Sequence, residues 1–109
     1  MALQAVLKER EKKLTILRNN AMKEAQRLAF LLSKRYKFEA IYLFGSLLSG
    51  KFRLHSDIDM VIKGLKVEDF FKAHAFLIKE SRYRIDLKPF EDLEDSFKEK
   101  ILRKGLKIG

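Results

Sequence analysis

The stretch 39-EAIYLFGSLLSGKFRLHSDIDMVI-62 decides how this chain is read. Its first part, Ala40 to Phe44, is apolar at every position, the pattern of a strand covered on both faces. The run stops at Gly45. Ser46 is placed to cap a short turn over 47–49, and Gly50 suits a left-handed exit from it. After a basic loop, 56-SDIDMVI-62 alternates as a second strand. Asp57, Asp59 and Val61 then share one face, with Ile58, Met60 and Ile62 on the other.

Upstream, residues 2–36 contain no Gly or Pro and read as one helix, with apolar residues at Leu3, Leu7, Leu14, Leu17, Ala21, Leu28 and Leu31. Nine basic residues against three acidic ones occupy its other faces. At ~1.5 Å per residue such a helix is roughly 50 Å long, more than the width of a small domain. Residues 21–109 are therefore expected to form the domain, with about 20–36 packed on its core. Residues 1–20 form a helical extension whose apolar stripe needs a partner chain, a second copy of this chain or the domain itself to cover it.

Downstream, Gly64 ends the second strand and 67–80 has helical spacing. A third strand is read at 82-RYRIDL-87, with Tyr83, Ile85 and Leu87 on its apolar side, Arg82, Arg84 and Asp86 opposite, and Pro89 marking its end. A last helix, about 92–103, runs from acidic to basic as the helix dipole favours, and Gly105 stops it. The order is α-β-β-α-β-α, an α/β (α+β) domain of two layers.

Composition narrows the function. The 109 residues suffice for one core. Cysteine is absent, which excludes disulfides and thiolate metal sites, and two separated histidines argue against zinc. No apolar run approaches a membrane span, and the charged N-terminus lacks the features of a signal peptide, so a soluble, cytoplasmic protein is expected. A net charge of +9 points to a polyanionic or acidic partner, or to a solvated Lys/Glu-rich surface. His74 lies on the apolar face of its helix as a half-buried, hydrogen-bonded residue. His55 reads as a loop residue near the acidic pair.

Two carboxylates at i and i+2 on a strand have roots roughly 7 Å apart and can reach a shared pair of hard cations. They are also what a solvated strand end looks like. Asp86, isolated among apolar residues, is the third carboxylate available from another strand. The Gly45-Ser46 turn offers backbone N–H groups and a hydroxyl to a phosphate, and glycine permits close approach. Together these are parts suited to phosphoryl or nucleotidyl transfer, which needs charge neutralisation and in-line positioning.

Gly45-Ser46, ten residues, then Asp57-Ile58-Asp59 resembles the signature of the DNA polymerase β-like nucleotidyltransferases, and most closely the minimal nucleotidyltransferases. The resemblance spans about residue 22 to Lys107, including 97-FKEKILRKG-105. It implies a small mixed sheet flanked by helices. It also implies that Ser46 contacts the β/γ-phosphates of ATP, with Gly45 permitting the approach. Asp57 and Asp59 would bind two Mg²⁺ ions (or Mn²⁺). Asp86 would bind the catalytic ion and help activate an acceptor hydroxyl. The family commonly carries basic residues where this chain has Leu47 and Ser49, so part of the usual phosphate grip is either missing or passed to Lys51, Arg53 or Arg84.

The resemblance further implies an antitoxin-like enzyme that moves AMP from ATP to a tyrosine of a helical HEPN-type toxin, a separate protein presenting the acceptor. The alternative is a module that keeps the nucleotide or partner site without turnover, which the departures at 47 and 49 motivate. Nucleic-acid binding by the basic first helix would explain the charge but not the three aspartates, so nucleic acid is not expected as direct substrate.

Overall fold

A computed structural model describes residues 2–109. The first helix, α1 (Ala2–Arg35), is continuous. Strand β1 (Ala40–Phe44), the one-turn helix α2 (Ser46–Ser49) and strand β2 (Ile58–Lys63) follow, then α3 (Val67–Glu80) and β3 (Ile85–Pro89). A 3-10 turn (Phe90–Asp92), helix α4 (Asp95–Lys104) and a two-residue strand β4 (Leu106–Lys107) complete the chain. The sheet order is β3-β2-β1-β4. β1 pairs antiparallel with β2 and β4, whereas β2 and β3 run parallel, joined by α3 as a crossover helix. The sheet is thus mixed, as expected.

Strand alternation divides the core. Ile41, Leu43, Ile58, Met60, Ile62 and Leu87 face a cluster completed by Ala21, Ala25, Leu28 and Leu32 of α1 and by Ala73 and Leu77 of α3. The small residues of α1 let that helix lie close on the sheet. On the opposite face, Val61 packs with Phe90 and Ile101, flanked by Tyr42, Phe44 and Phe97. Helices therefore cover both faces, α1 and α3 one side and α4 the other.

The first half of α1 adds only the partly buried Leu17 to this core: the five fully covered residues of the helix all lie between Ala21 and Leu32. Leu3, Val6, Leu7 and Ile16 are exposed, and the molecule extends 57 Å along its longest axis against 31 and 18 Å across. The domain end of α1 is tied down by Arg27, which donates to Glu24 and Glu80, while the Ser81 hydroxyl also donates to Glu24 at 2.8 Å. The Arg27 and Ser81 contacts hold the Glu24 carboxyl below its ordinary range against the opposing effect of burial. Among the described residues no helix is long and apolar enough to cross a membrane.

Four local expectations change. The α2 cap is Gly45, in a backbone conformation with φ 75° and ψ −145°, and Ser46 is the first helical residue, making no capping bond. Strand β2 begins at Ile58, one residue after Asp57. Strand β3 begins at Ile85 and includes Pro89, which is tolerated because β3 is an edge strand. The last helix starts at Asp95, after the 3-10 turn. The strand β4 has no counterpart in the sequence reading: Ile108 N–H donates to Ile41 O at 2.9 Å, and Ile41 N–H to Gly109 O at 3.2 Å.

Candidate active site

The parallel register of β2 and β3 sets Asp59 directly beside Asp86. On the other side Asp59 faces Phe44, the last residue of β1 before the Gly45 turn. Three segments thus converge at one end of the sheet: the Gly45-Ser46 turn, the start of β2 and the start of β3. Asp57 stands just outside the ladder, where the Ile58 N–H donates to Arg84 O at 2.8 Å and holds the approach to β2 against β3.

Gly45 is tightly specified. Its backbone conformation is one that essentially only glycine adopts. A Cβ there would also collide with the Asp59 carboxylate. The volume a side chain would fill is taken by that carboxylate, which packs directly against the turn. Gly50, at φ 78°, has the left-handed geometry expected of it, with no atom near a would-be Cβ.

The cluster holds like charges close together. Asp59 is half-buried, and its carboxyl is pushed up to about 6 by burial first and then by the charges of Asp86 and Asp57. Lys88 opposes that shift only in part. Asp86 is paired with Lys88 Nζ at 2.7 Å, two residues along the same strand face. Asp57 Oδ1 lies 3.0 Å from Arg84 Nε. That oxygen is excluded from solvent, yet it accepts no aligned hydrogen bond. The contact with Arg84 is one of charge rather than of directed hydrogen bonding.

As the side chains stand, Asp57 leans toward Arg84 and Asp86 toward Lys88. Among the described residues no three acidic or imidazole groups are converged into a closed cage. The donor set nevertheless fits a hard divalent cation: three carboxylates, one solvent-excluded oxygen lacking a hydrogen bond, and mutual repulsion that a cation would relieve.

The structure brings Gly45, Asp57, Asp59 and Asp86 to one end of the sheet, with Ser46 opening α2 next to them. Lys51 lies with Ser46 along a groove of about 660 Å³ that runs from the turn to α4. Arg53 is placed elsewhere. Its guanidinium donates to Phe52 O at 2.9 Å and Gly50 O at 3.4 Å, so it stays with its own loop. Leu47 is buried in the main core, and the Ser49 hydroxyl donates back to Ser46 O. His74 has the structural role expected of it, Nε2 lying 3.1 Å from Ile85 O. His55 lies in a separate hollow with Arg82, Tyr83 and Arg84.

Sequence reasoning missed Lys88, and the lysines of α4 that reach the groove. The period-2 offset of Lys88 from Asp86 carried the first signal. The i, i+4 spacing of Lys100 and Lys104 carried the second.

The sequence profile of the family described as Polymerase beta, Nucleotidyltransferase matches residues 26–108. No curated protein sequence matches the chain. Among solved structures, a protein assigned as a minimal nucleotidyltransferase shares the fold with a TM-score of 0.65 at 21% identity, over 80% of this chain and 92% of that one. A toxin–antitoxin structure with AMP-PNP matches with a TM-score of 0.63 at 21% identity, over 79% of this chain and 72% of the other. A further toxin–antitoxin structure, MntA-HepT, has a TM-score of 0.56 at 18% identity, over 82% and 71%.

Proposed function

This chain belongs to the polymerase β nucleotidyltransferase family, and on that premise we propose that it is a divalent-metal-dependent enzyme moving AMP from ATP to a protein hydroxyl. The observation that carries the reading is the side-by-side register of Asp59 and Asp86, with Asp57 one step before the strand and Gly45-Ser46 at the same sheet end.

Asp57, Asp59 and Asp86 would hold two Mg²⁺, or Mn²⁺, ions. Such ions, when bound, neutralise the developing phosphate charge and lower the pKa of a coordinated hydroxyl. The protein's part is positioning. Gly45 lets the Asp59 carboxylate pack directly against the turn, where any Cβ would collide with it, so that a phosphate held at Asp59 would lie close to the backbone. Ser46 offers its hydroxyl and N–H to the β- and γ-phosphates. Asp86, paired with Lys88 on the neighbouring strand, would be the residue that takes the acceptor's proton. Arg84 pulls on the Asp57 carboxylate from its other side and limits its motion.

The acceptor is read as a tyrosine of a separate HEPN-type toxin, which makes the chain the antitoxin of a pair. The likeness to toxin–antitoxin structures, one of them with AMP-PNP, supports this reading. So does the first half of α1: residues 2–20 carry exposed apolar residues and an excess of basic ones, suited to a helical, acidic partner. The site's placement in a cytoplasmic protein follows from the same reading.

A second reading is favoured by one observation. Leu47 is in the core and Ser49 is turned back on the α2 backbone, so neither gives a phosphate a positive charge, as a binding module without turnover would allow. One experiment separates the two. The protein is incubated with α-labelled ATP, Mg²⁺ and the product of the neighbouring gene, beside the Asp57→Asn variant. Label on the partner protein, abolished by the substitution, is expected. Intact partner binding with no label would leave the binding module.

A further inference from the structure

We propose that Lys51, Lys100 and Lys104 form the site that receives the terminal phosphates of the nucleotide and then the leaving pyrophosphate. This deepens the nucleotidyltransferase reading and rests on it for the direction in which the substrate lies. The groove between the Gly45-Ser46 turn and α4 encloses about 660 Å³, ample for a diphosphate and its hydration. Its walls are largely apolar, from Phe44, Leu48, Phe97 and Ile101, and the charged groups along it are these three lysines. It has no acidic side chain in its lining.

Lys100 and Lys104 are one helical turn apart, so their amines project from one face of α4. Lys51, just past the exit of α2, lines the same groove. Among the described residues none of the three amines has a carboxylate within ion-pair distance, unlike Lys63, Lys88, Arg27 and Arg84. Three positive charges without acidic partners along one apolar-walled groove repel one another. That repulsion is relieved by a multivalent anion, and the low-dielectric walls strengthen the attraction.

The groove starts at the turn that touches Asp59, which fixes how a nucleotide would lie. With the α-phosphate at the aspartates, the β- and γ-phosphates extend past Ser46 toward the lysines. In the transfer, the acceptor oxygen forms a bond to the α-phosphorus as the bond from that phosphorus to the bridging oxygen breaks. The electron pair leaves on pyrophosphate and the acceptor proton passes to a carboxylate. The lysines counter the charge that grows on pyrophosphate at that moment. The cations for the leaving group thus come from α4, at the far end of the sequence from the loop that carries the signature.

The test is calorimetric titration of inorganic pyrophosphate, ATP and AMP, with Mg²⁺ present, into the parent chain and the double variant Lys100→Gln/Lys104→Gln. Lys72→Gln/Lys79→Gln, on exposed positions of α3, removes the same charge away from the groove. Two lost charge-assisted contacts should weaken pyrophosphate and ATP by about tenfold or more. AMP should change less than about twofold, and the α3 variant should follow the parent within a similar margin. Equal pyrophosphate affinity in parent and α4 variant overturns the proposal, as does an equal loss in the α3 variant. If the parent binds pyrophosphate through α4 but labels no partner protein, the groove stands and the transferase reading falls.

Discussion

Asp59→Asn keeps the shape of a side chain pressed between two other carboxylates and removes its charge. The Asp59 carboxyl has moved from an ordinary value of 3.8 to about 6, through burial and then through Asp86 and Asp57. Its folded pKa is the higher one, so the native state binds this proton more tightly than the unfolded chain does. Ionising it therefore costs stability: the deficit is absent below about pH 4, grows as pH rises, and is complete above about pH 6. Unscreened, that displacement is worth about 3 kcal/mol, but the cluster is partly open to water and screening reduces it to about 1 kcal/mol. For a chain of this size, 1 kcal/mol is roughly 4–8 °C in melting temperature. Thermal unfolding followed by circular dichroism, with chelator present, should show Asp59→Asn melting above the parent by that margin at pH 7.5. The gap should close toward pH 4. Mg²⁺ should raise the parent's melting temperature and leave the variant's nearly unchanged. A variant that melts below the parent at pH 7.5, or a gap independent of pH, would refute the claim that these aspartates are held together against their own repulsion.

Four further outcomes follow from the same structure. Gly45→Ala should cost about 1–3 kcal/mol from backbone strain and abolish the Mg²⁺-dependent thermal shift, because its Cβ meets Asp59. Gly50→Ala, with open space around it, should cost about 1–2 kcal/mol and keep that shift. Glu24→Gln should lower the melting temperature at pH 7. Since the Glu24 carboxyl is held below its ordinary range, the effect should fade as pH falls through that range, which a pH series of melts measures. Removing residues 106–109 should strip the outer hydrogen bonds from β1 and expose Ile41, lowering the melting temperature and inducing aggregation visible by light scattering.

The elements that were legible from sequence are those with a strong local pattern. The helix over 2–36, the apolar run of β1 and the alternation of β2 follow from periodicity. Gly50 has the positive φ that its place at the exit of the turn suggests; Gly45 has one too, which the sequence did not signal. The pairing of Asp59 with Asp86 needed one non-local fact, that β3 lies parallel to β2, and alternation alone does not carry it. Strand β4 has two exposed residues and exists only because β1 offers it an edge. The position of Arg53 in the loop was legible, but not that its guanidinium donates to the carbonyls of Phe52 and Gly50 in that same loop. The groove lysines were visible only as the basic end of a helix. That they share a groove with Lys51 depends on how α4 packs across the sheet.

The most direct test is a crystal grown with Mn²⁺ and a non-hydrolysable ATP analogue, with anomalous scattering used to place the metal. The account predicts peaks within about 2.0–2.3 Å of carboxylate oxygens of Asp57, Asp59 and Asp86, with the analogue's phosphates running past Ser46. An analogue bound with no metal peak at these three residues would contradict it.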